Sequence, residues 1–405
     1  MNPEDAKGAR CGIDTVEIRR VEKLVRDKTP EELSRLFSPQ ELKDAGDGPG
    51  RGASLAARFA AKEACSKLFP REIALGVIEL ADFATHRDAY GAPIVEVSAR
   101  ARAVLDRHRI AGIRVSLTHT ETTASAIAWA EPRLTEVPWF GWLLYHLFPY
   151  RRGVVLGNLR RVFGGYIPEP EILKLAQAYY AHYIRFLLEF LRLPFMSAKQ
   201  RKAWMRIENM EIALRAHAQG KGILLLTGHF GNFEVSTVAG ISQFPGYRGV
   251  FHFVRRPLKP KLLNDFITWR TRQAGFGTLT KRGSLEAILE LLASGAIVVY
   301  VFDQHAGKGM GIPVDLFGEP AGTFKSVALI ALSTGVPVVP AYSWREPDGR
   351  HVLRFEEPVP LIEDADTGEA IRRNTRAYNE VMERMLLRHP EQWIWMHRRW
   401  KATGR

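Results

Sequence analysis

The sequence predicts two successive mixed domains: an α+β domain over residues 1–131 and, from residue 139, an α/β domain whose central sheet is flanked by helices. Three observations predict this. In the second part, short apolar runs of strand length alternate with longer stretches of helical period. The first part instead sets one long Ala-rich helical stretch among segments of strand character. Between them, Ala130–Pro138 (AEPRLTEVP) is polar and carries prolines at 132 and 138, which marks residues 132–138 as a short semi-rigid linker.

The elements follow in chain order. GIDTVEIRRVEKL opens on Gly12-Ile13-Asp14 at a strand end and passes into helical spacing. LAARFAAKEACSKLF (55–69) has apolar residues at helical intervals and no proline before Pro70. YGAPIVEVS (90–98) reads as a turn into a strand, and residues 113–130 as a strand pair, giving a sheet of about three antiparallel strands crossed by one helix. After the linker, WFGWLLYHLFPYRR is too short for the roughly 20 residues that span a bilayer. It reads as an interfacial segment over 139–152, with Trp139, Trp142 and Tyr145 at headgroup depth and Arg151 and Arg152 among lipid phosphates. The alternative is an amphipathic helix packed on the core. A second apolar helix, residues 178–193, suits core packing. Strands are expected near 223–226, 249–254, 296–302, 337–342 and 352–356.

The densest chemistry lies in LLTGHFGNFE (225–234). Ile223–Leu226 reads as a buried strand, Gly228 and Gly231 permit a sharp turn, and Asn232 can cap the helix that follows. His229 leaving the strand and Glu234 returning from the first helical turn would pair a general base with an orienting carboxylate. The bland alternative is a His and a Glu with separate local hydrogen bonds. Asp303 ends the apolar run AIVVYVF, where an α/β sheet delivers side chains to its ligand crevice. Of Arg270 and Arg272 in WRTRQ, either can face inward. Arg256 and Lys325 are plausible phosphate contacts, and the tail WIWMHRRWK can floor the site or touch lipid. In the first domain, Asp14 and Glu63 can hold a hard divalent cation, since Mg²⁺ takes one or two carboxylates plus water and phosphate oxygens. Lys67 shares a helix face with Glu63, and the alternative for that pair is a solvated ion pair.

A formal charge of +13 implies an acidic partner: an anionic membrane surface, a phosphate-bearing substrate or an acidic carrier protein. Nucleic acid fits poorly, because no zinc-finger spacing, RNP-like motif or compact basic tract is present. Two cysteines, Cys11 and Cys65, make neither a disulfide framework nor a metal motif. The polar start MNPEDAKGARCG lacks the apolar core of a signal peptide, so a cytoplasmic location is expected.

Two resemblances sharpen these expectations. NLRRVF (158–163), TGHFGNFE, RRPLKPKLLNDF (255–266), WRTRQ, VFDQHAGKG (301–309), DLFGEPAGTFKS (315–326), TGVPVVPAY (334–342) and HPEQWIWMHRRWK (389–401) occur in order. Together they resemble the late acyltransferases of lipid A synthesis, within the lysophospholipid acyltransferase superfamily. The resemblance implies that His229 deprotonates an acceptor hydroxyl, which attacks the thioester of an acyl donor, usually acyl-carrier protein. It further implies functional roles for Glu234, Asp303 and one of the arginine pair, and a place on the cytoplasmic side of the bacterial inner membrane.

In the first domain, GID–VEI, FSPQEL (37–42), RFAAKEA––K, YGAPIV and VSLTH resemble the holo-acyl-carrier-protein synthase family of 4′-phosphopantetheinyl transferases. That resemblance implies Mg²⁺ on Asp14 and Glu63 against the pyrophosphate of coenzyme A. It implies coenzyme contacts at Arg58, Lys62, Ser116 and His119, a catalytic lysine at Lys67, and Arg20 facing the carrier. It also implies a trimer with sites between protomers. SLTH replaces the family's SLSH, and Phe69-Pro70-Arg71-Glu72 replaces a glycine-rich loop. The expected whole is a bifunctional enzyme serving one carrier protein. The competing readings are an acyltransferase with a non-catalytic carrier-docking domain and a non-enzymatic membrane-surface protein. The acceptor is open between a glycolipid such as a lipid A precursor and another lipid or pigment hydroxyl.

Overall fold

The computed structural model describes residues 10–401 except 89, 242, 244–245, 247–248, 256–258, 260, 281–284 and 308. The chain divides into two compact units, Met1–Thr135 with Gly165–Glu169, and Glu136–Gly164 with Pro170–Arg405.

Unit 1 contains β1 (Cys11–Glu17), β2 (Phe83–Arg87), β3 (Pro93–Val97), β4 (Ile110–His119) and β5 (Thr123–Pro132). They form one antiparallel sheet in the order β1-β5-β4-β3-β2. Five strands stand where about three are expected, because FATHR has no apolar run and CGIDTVE mixes polar and apolar residues on both faces. Strand β5 also runs on to Pro132, so the first residue of the expected linker is part of the ladder.

The Arg51–Ser66 helix packs on one face of this sheet. Its Ala56, Ala60, Ala61 and Ala64 and the strand residues Ala124, Ala126 and Ala128 are all buried, and such small side chains let helix and sheet backbones approach closely. At Gly12 a Cβ atom would lie 2.0 Å from the Ala64 carbonyl oxygen. Only glycine fits there. Because side chains alternate along a strand, Asp14 shares the helix-facing side with Gly12, in mid-strand rather than at its end. The opposite face presents Ile13, Ile94, Ile127 and Trp129 to solvent, with Ile13 64% exposed.

In unit 2, β6 (Met205–Glu208), β7 (Ile223–Thr227), β8 (Phe251–Arg255), β9 (Gly277–Thr280), β10 (Ile297–Val301), β13 (Val338–Arg345) and β14 (His351–Phe355) form a seven-stranded sheet in the order β6-β14-β13-β7-β10-β8-β9. A separate hairpin joins β11 (Gly311–Leu316) to β12 (Glu319–Phe324). Among the described residues, β14 pairs antiparallel with β13, and every other neighbouring pair in the large sheet is parallel. The central strands are apolar along their length, ILLL in β7 and IVVY in β10, as strands buried on both faces must be. The edge strands MRIE and GTLT carry no such run, which is why the sequence does not announce them.

The Trp139–Leu147 helix is two-sided. Trp139 and Trp142 are 77% and 53% exposed, whereas Tyr145 is buried and stacks edge-on against Tyr180 at 5.8 Å. Tyr145 therefore faces protein rather than headgroups. Arg152 is half-buried and donates to the Tyr145 carbonyl, while Arg151 is exposed and donates to the Met396 carbonyl. The Glu169–Arg192 helix buries its middle but exposes Leu187, Leu188 and Leu191 near its end, so core packing accounts for only part of it. Among the described residues, no helix is long and apolar enough to cross a membrane.

The approach of helix to strand at Gly12 is testable. Gly12→Ala should lower the stability of unit 1 by about 1–3 kcal/mol, the usual cost of overpacking a core. Urea unfolding measures it, and an unchanged midpoint would mean that the helix has room to move.

Candidate active sites

In unit 2 the site grows from two neighbouring strands. β7 and β10 are parallel, with Thr227 opposite Val301, and the Phe302 amide extends the ladder to the Thr227 carbonyl at 2.8 Å. The chain therefore leaves both strands side by side at their carboxyl ends, delivering His229 and Asp303 to the same place. At Gly228 a Cβ atom would sit 3.0 Å from the Asp303 carboxylate and 2.7 Å from the Phe230 ring. Its absence lets the carboxylate reach the turn.

Asp303 takes hold of His229 twice. Its Oδ2 accepts the His229 backbone N–H at 2.7 Å, and its Oδ1 lies 2.9 Å from His229 Nδ1. The Trp393 indole donates to the same Oδ2 at 2.9 Å. Thus the carboxylate that orients the imidazole is Asp303, not Glu234. With Nδ1 donating, Nε2 is the free basic nitrogen, and the side chain is 17% exposed. Burial alone would lower the His229 pKa, but the charge and hydrogen bond of Asp303, with a smaller contribution from Glu234, raise it above the ordinary value. Asp303 is held below the usual carboxylate range, its burial outweighed by His229 and Trp393.

Glu234 stands in the first turn of the Phe233–Ile241 helix, within electrostatic reach of both His229 and Arg270. The arginine pair resolves. Arg270 is buried and Arg272 exposed on the Lys261–Gln273 helix. The Arg270 guanidinium lies 4.5 Å from the Phe190 ring centroid and 5.6 Å from that of Phe266, and both Nη atoms are buried with no hydrogen-bond partner among the described residues. A buried guanidinium left so unsatisfied is costly unless a ligand anion completes it. Lys325 is half-buried ahead of the Ser326–Thr334 helix. Arg256 lies outside the described residues. Trp393, Trp395 and Arg399 are all buried, so the tail floors the site.

In unit 1 the close-packed helix brings Glu63 and Lys67 to β1. Lys67 Nζ bonds Asp14 Oδ1 and the Ile13 carbonyl, at 2.8 and 2.9 Å. Burial and then the charge of Asp14 raise the Glu63 pKa, against the opposing charges of Lys67 and Arg20. The four side chains are thus one electrostatic cluster. Two carboxylates that repel each other across a half-open site fit a hard divalent cation. Among the described residues no group of three or more His, Cys, Asp or Glu forms a metal cage, so water and phosphate oxygens would supply the rest of the shell, as Mg²⁺ accepts.

The expected coenzyme contacts divide. Lys62 is fully enclosed and bonds Glu41 Oε2 at 2.8 Å, the Phe83 carbonyl at 2.8 Å and the Leu80 carbonyl at 3.3 Å. All three ammonium hydrogens are used inside the domain, which leaves none for a phosphate. Arg58 also turns inward, to the Thr85 carbonyl and Ser54. His119 is exposed and lies on the same sheet side as Asp14, since Asp14 is registered with Ala126 and Leu117, and Val16 with Ala124 and His119. Ser116 is exposed on the opposite face, in register with Ile127.

Both units are transferase domains. Residues 135–402 match the family described as bacterial lipid A biosynthesis acyltransferase, and the chain belongs to this family. Residues 10–123 match the 4′-phosphopantetheinyl transferase superfamily, to which the amino-terminal part belongs. The chain is similar to the lipid A biosynthesis lauroyltransferase of Escherichia coli, with 30% identity over 204 residues, covering 49% of this chain and 62% of that protein. It is similar to the holo-[acyl-carrier-protein] synthase of Treponema denticola, with 42% identity over 117 residues, covering 29% of this chain and 92% of that one. The Helicobacter pylori holo-[acyl-carrier-protein] synthase solved with coenzyme A shares 28% identity, covering 30% of this chain and 99% of that chain at a TM-score of 0.26.

The His229 environment sets a titration. Because the folded pKa is raised, the protonated ring should persist above pH about 6.5, the ordinary histidine value. Asp303→Asn removes the main raising charge and leaves burial opposed only by the smaller contribution of Glu234, so the midpoint should fall. NMR of ring-labelled histidine reads both. A midpoint that ignores Asp303 would break the pair.

Proposed function

We propose that the chain is a bifunctional enzyme serving acyl-carrier protein. Unit 1 transfers 4′-phosphopantetheine from coenzyme A to the carrier. Unit 2 transfers an acyl chain from the carrier, or from acyl-coenzyme A, to a hydroxyl of a membrane lipid or glycolipid. The observation that carries the second activity is the His229–Asp303 pair. His229 Nε2 takes the acceptor's hydroxyl proton as its oxygen attacks the thioester carbonyl. Asp303 stabilises the resulting imidazolium. The two unsatisfied Nη groups of Arg270 face the negative charge that develops on the carbonyl oxygen. Collapse of the intermediate breaks the carbon–sulfur bond and expels the thiolate, which takes from His229 the proton that came from the acceptor hydroxyl. Glu234 acts electrostatically on Arg270 and partly balances its charge.

For unit 1, Asp14 and Glu63 would hold Mg²⁺, which when bound neutralises pyrophosphate charge. Lys67 anchors Asp14 and adds its own positive charge, and Arg20 faces the acidic carrier. The open sheet face with Ile13, Ile127 and Trp129 supports a trimer in which Ser116 serves a neighbouring copy's site.

Membrane association at the cytoplasmic face of the inner membrane is read from exposed apolar residues. Trp139, Trp142, Leu188, Leu191, Leu262 and Trp269 are all exposed in unit 2, with Lys261 and Arg272 on the same helix as the last two.

Separate assays test the two activities in one chain. Glu63→Gln should abolish loading of apo-carrier, seen by mass spectrometry, and leave acyl transfer intact. His229→Ala should do the reverse and lose at least about 10²–10⁴-fold in acyl transfer. A wild-type chain that modifies no carrier would sink the first assignment, and near-normal turnover by folded His229→Ala the second. Replacing Trp139 and Trp142 by Ser should weaken co-sedimentation with anionic vesicles, and unchanged binding would place the anchor elsewhere.

A further inference from the structure

A buried ionic cluster lies behind the His229 turn and takes no part in the chemistry above. Glu189, near the end of the Glu169–Arg192 helix, receives Arg345 Nε on Oε1 at 2.6 Å and Nη2 on Oε2 at 3.1 Å. Both side chains are largely buried, at 14% and 7% exposure. The same Oε2 accepts Asn232 Nδ2 at 2.8 Å, and His351 Nε2 stands 3.5 Å away. Burial would raise the Glu189 pKa, but His351 and Arg345 bring it down to about 2, so the carboxylate is charged.

Asn232 is fully buried and sits between His229 and Glu234 in the chain. Its Oδ1 accepts the Val235 N–H at 3.2 Å, capping the helix whose first turn holds Glu234. Its Nδ2 also reaches the Phe186 carbonyl at 3.3 Å. A charged Glu189 accepts hydrogen bonds and donates none, so it admits only one orientation of the Asn232 amide. The other side of the turn is tied down too. Gly231 N–H bonds the Gln392 carbonyl at 2.8 Å, while the Gln392 side chain pairs with the Arg345 backbone at 2.8 and 3.0 Å. Arg345 thus links the carboxylate to the strand and tail that close the turn. Stability alone does not call for such a device, because well-packed apolar residues often replace buried ion pairs at no loss.

We infer that Glu189, clamped by Arg345, is a positioning residue for acyl transfer: through Asn232 it fixes the turn that places His229 against Asp303 and caps the helix that bears Glu234. The inference rests on reading His229 as the base.

The test uses Glu189→Gln, Asn232→Asp and the double variant, which exchanges amide and carboxylate across one contact, all in the full chain. Glu189→Gln should lower kcat roughly ten- to hundredfold, the scale of a misplaced catalytic group, with KM for the acyl donor unchanged. Its His229 midpoint, read by NMR, should fall as the Asp303 contact loosens. The double variant should recover much of the activity lost in Asn232→Asp. Unchanged kcat and unchanged His229 titration in Glu189→Gln would overturn the inference, as would a double variant no better than Asn232→Asp. If the single variants do not fold, the exchange pair decides, and an unfolded double counts against it. A parent chain without acyl transfer would refute the functional reading instead, and the His229 titration in Glu189→Gln would still settle the positioning.

Discussion

The acyl-transfer chemistry proposed for unit 2 depends on one carboxylate. Asp303 is buried in a place where a charge is tolerable only because three N–H groups, from the His229 backbone, the His229 ring and the Trp393 indole, converge on it. In satisfying Asp303, these groups also fix the histidine tautomer, anchor the turn and bind the carboxy-terminal tail to the floor of the site. The geometry is inherited from the sheet, since two adjacent parallel strands end together and Gly228 leaves the space between them open.

Unit 1 solves a different problem with a similar economy of parts. Its cluster exists because a helix rich in alanine lies unusually close to β1, and Gly12 permits that approach. The Lys62–Glu41 pair, fully enclosed, locks the other flank of the same helix. Glu41 also caps its own short helix at Ser38 and receives the Thr85 amide at 2.9 Å, so one carboxylate joins three segments. A lysine with a motif-like position is in this way a structural member.

The contrast shows what a sequence makes legible. Strands β7, β10 and β13 are evident because burial on both faces demands unbroken apolar runs, and the turn after β7 is evident from its glycines and Asn232. Asp303 can be placed at a strand end, but its partner cannot be read, because strand order is not local information. Glu234 attracts the pairing with His229 only because both lie in one short segment. Arg270 and Arg272 sit about 200° apart on a helix, so one must face in, yet the phase is set by tertiary packing against Phe190 of another helix. Glu189 and Arg345 carry no motif at all. Each is one charge among several in its segment, Glu189 between Arg185 and Arg192 and Arg345 before Glu346, and it becomes informative only when the two are seen to meet.

The pairing of adjacent strand ends has a consequence for how such enzymes diversify. The distance between His229 and Asp303 is set by the spacing of neighbouring strands, not by the length of chain that joins them. That intervening chain contains β8, β9 and the Lys261–Gln273 helix, with its exposed Leu262 and Trp269. Insertions, deletions and surface changes there can remodel what approaches the site while the reacting pair stays in register. Evolvability is therefore built into the topology: the surface presented by one stretch of polypeptide can change while the His229–Asp303 contact keeps its register.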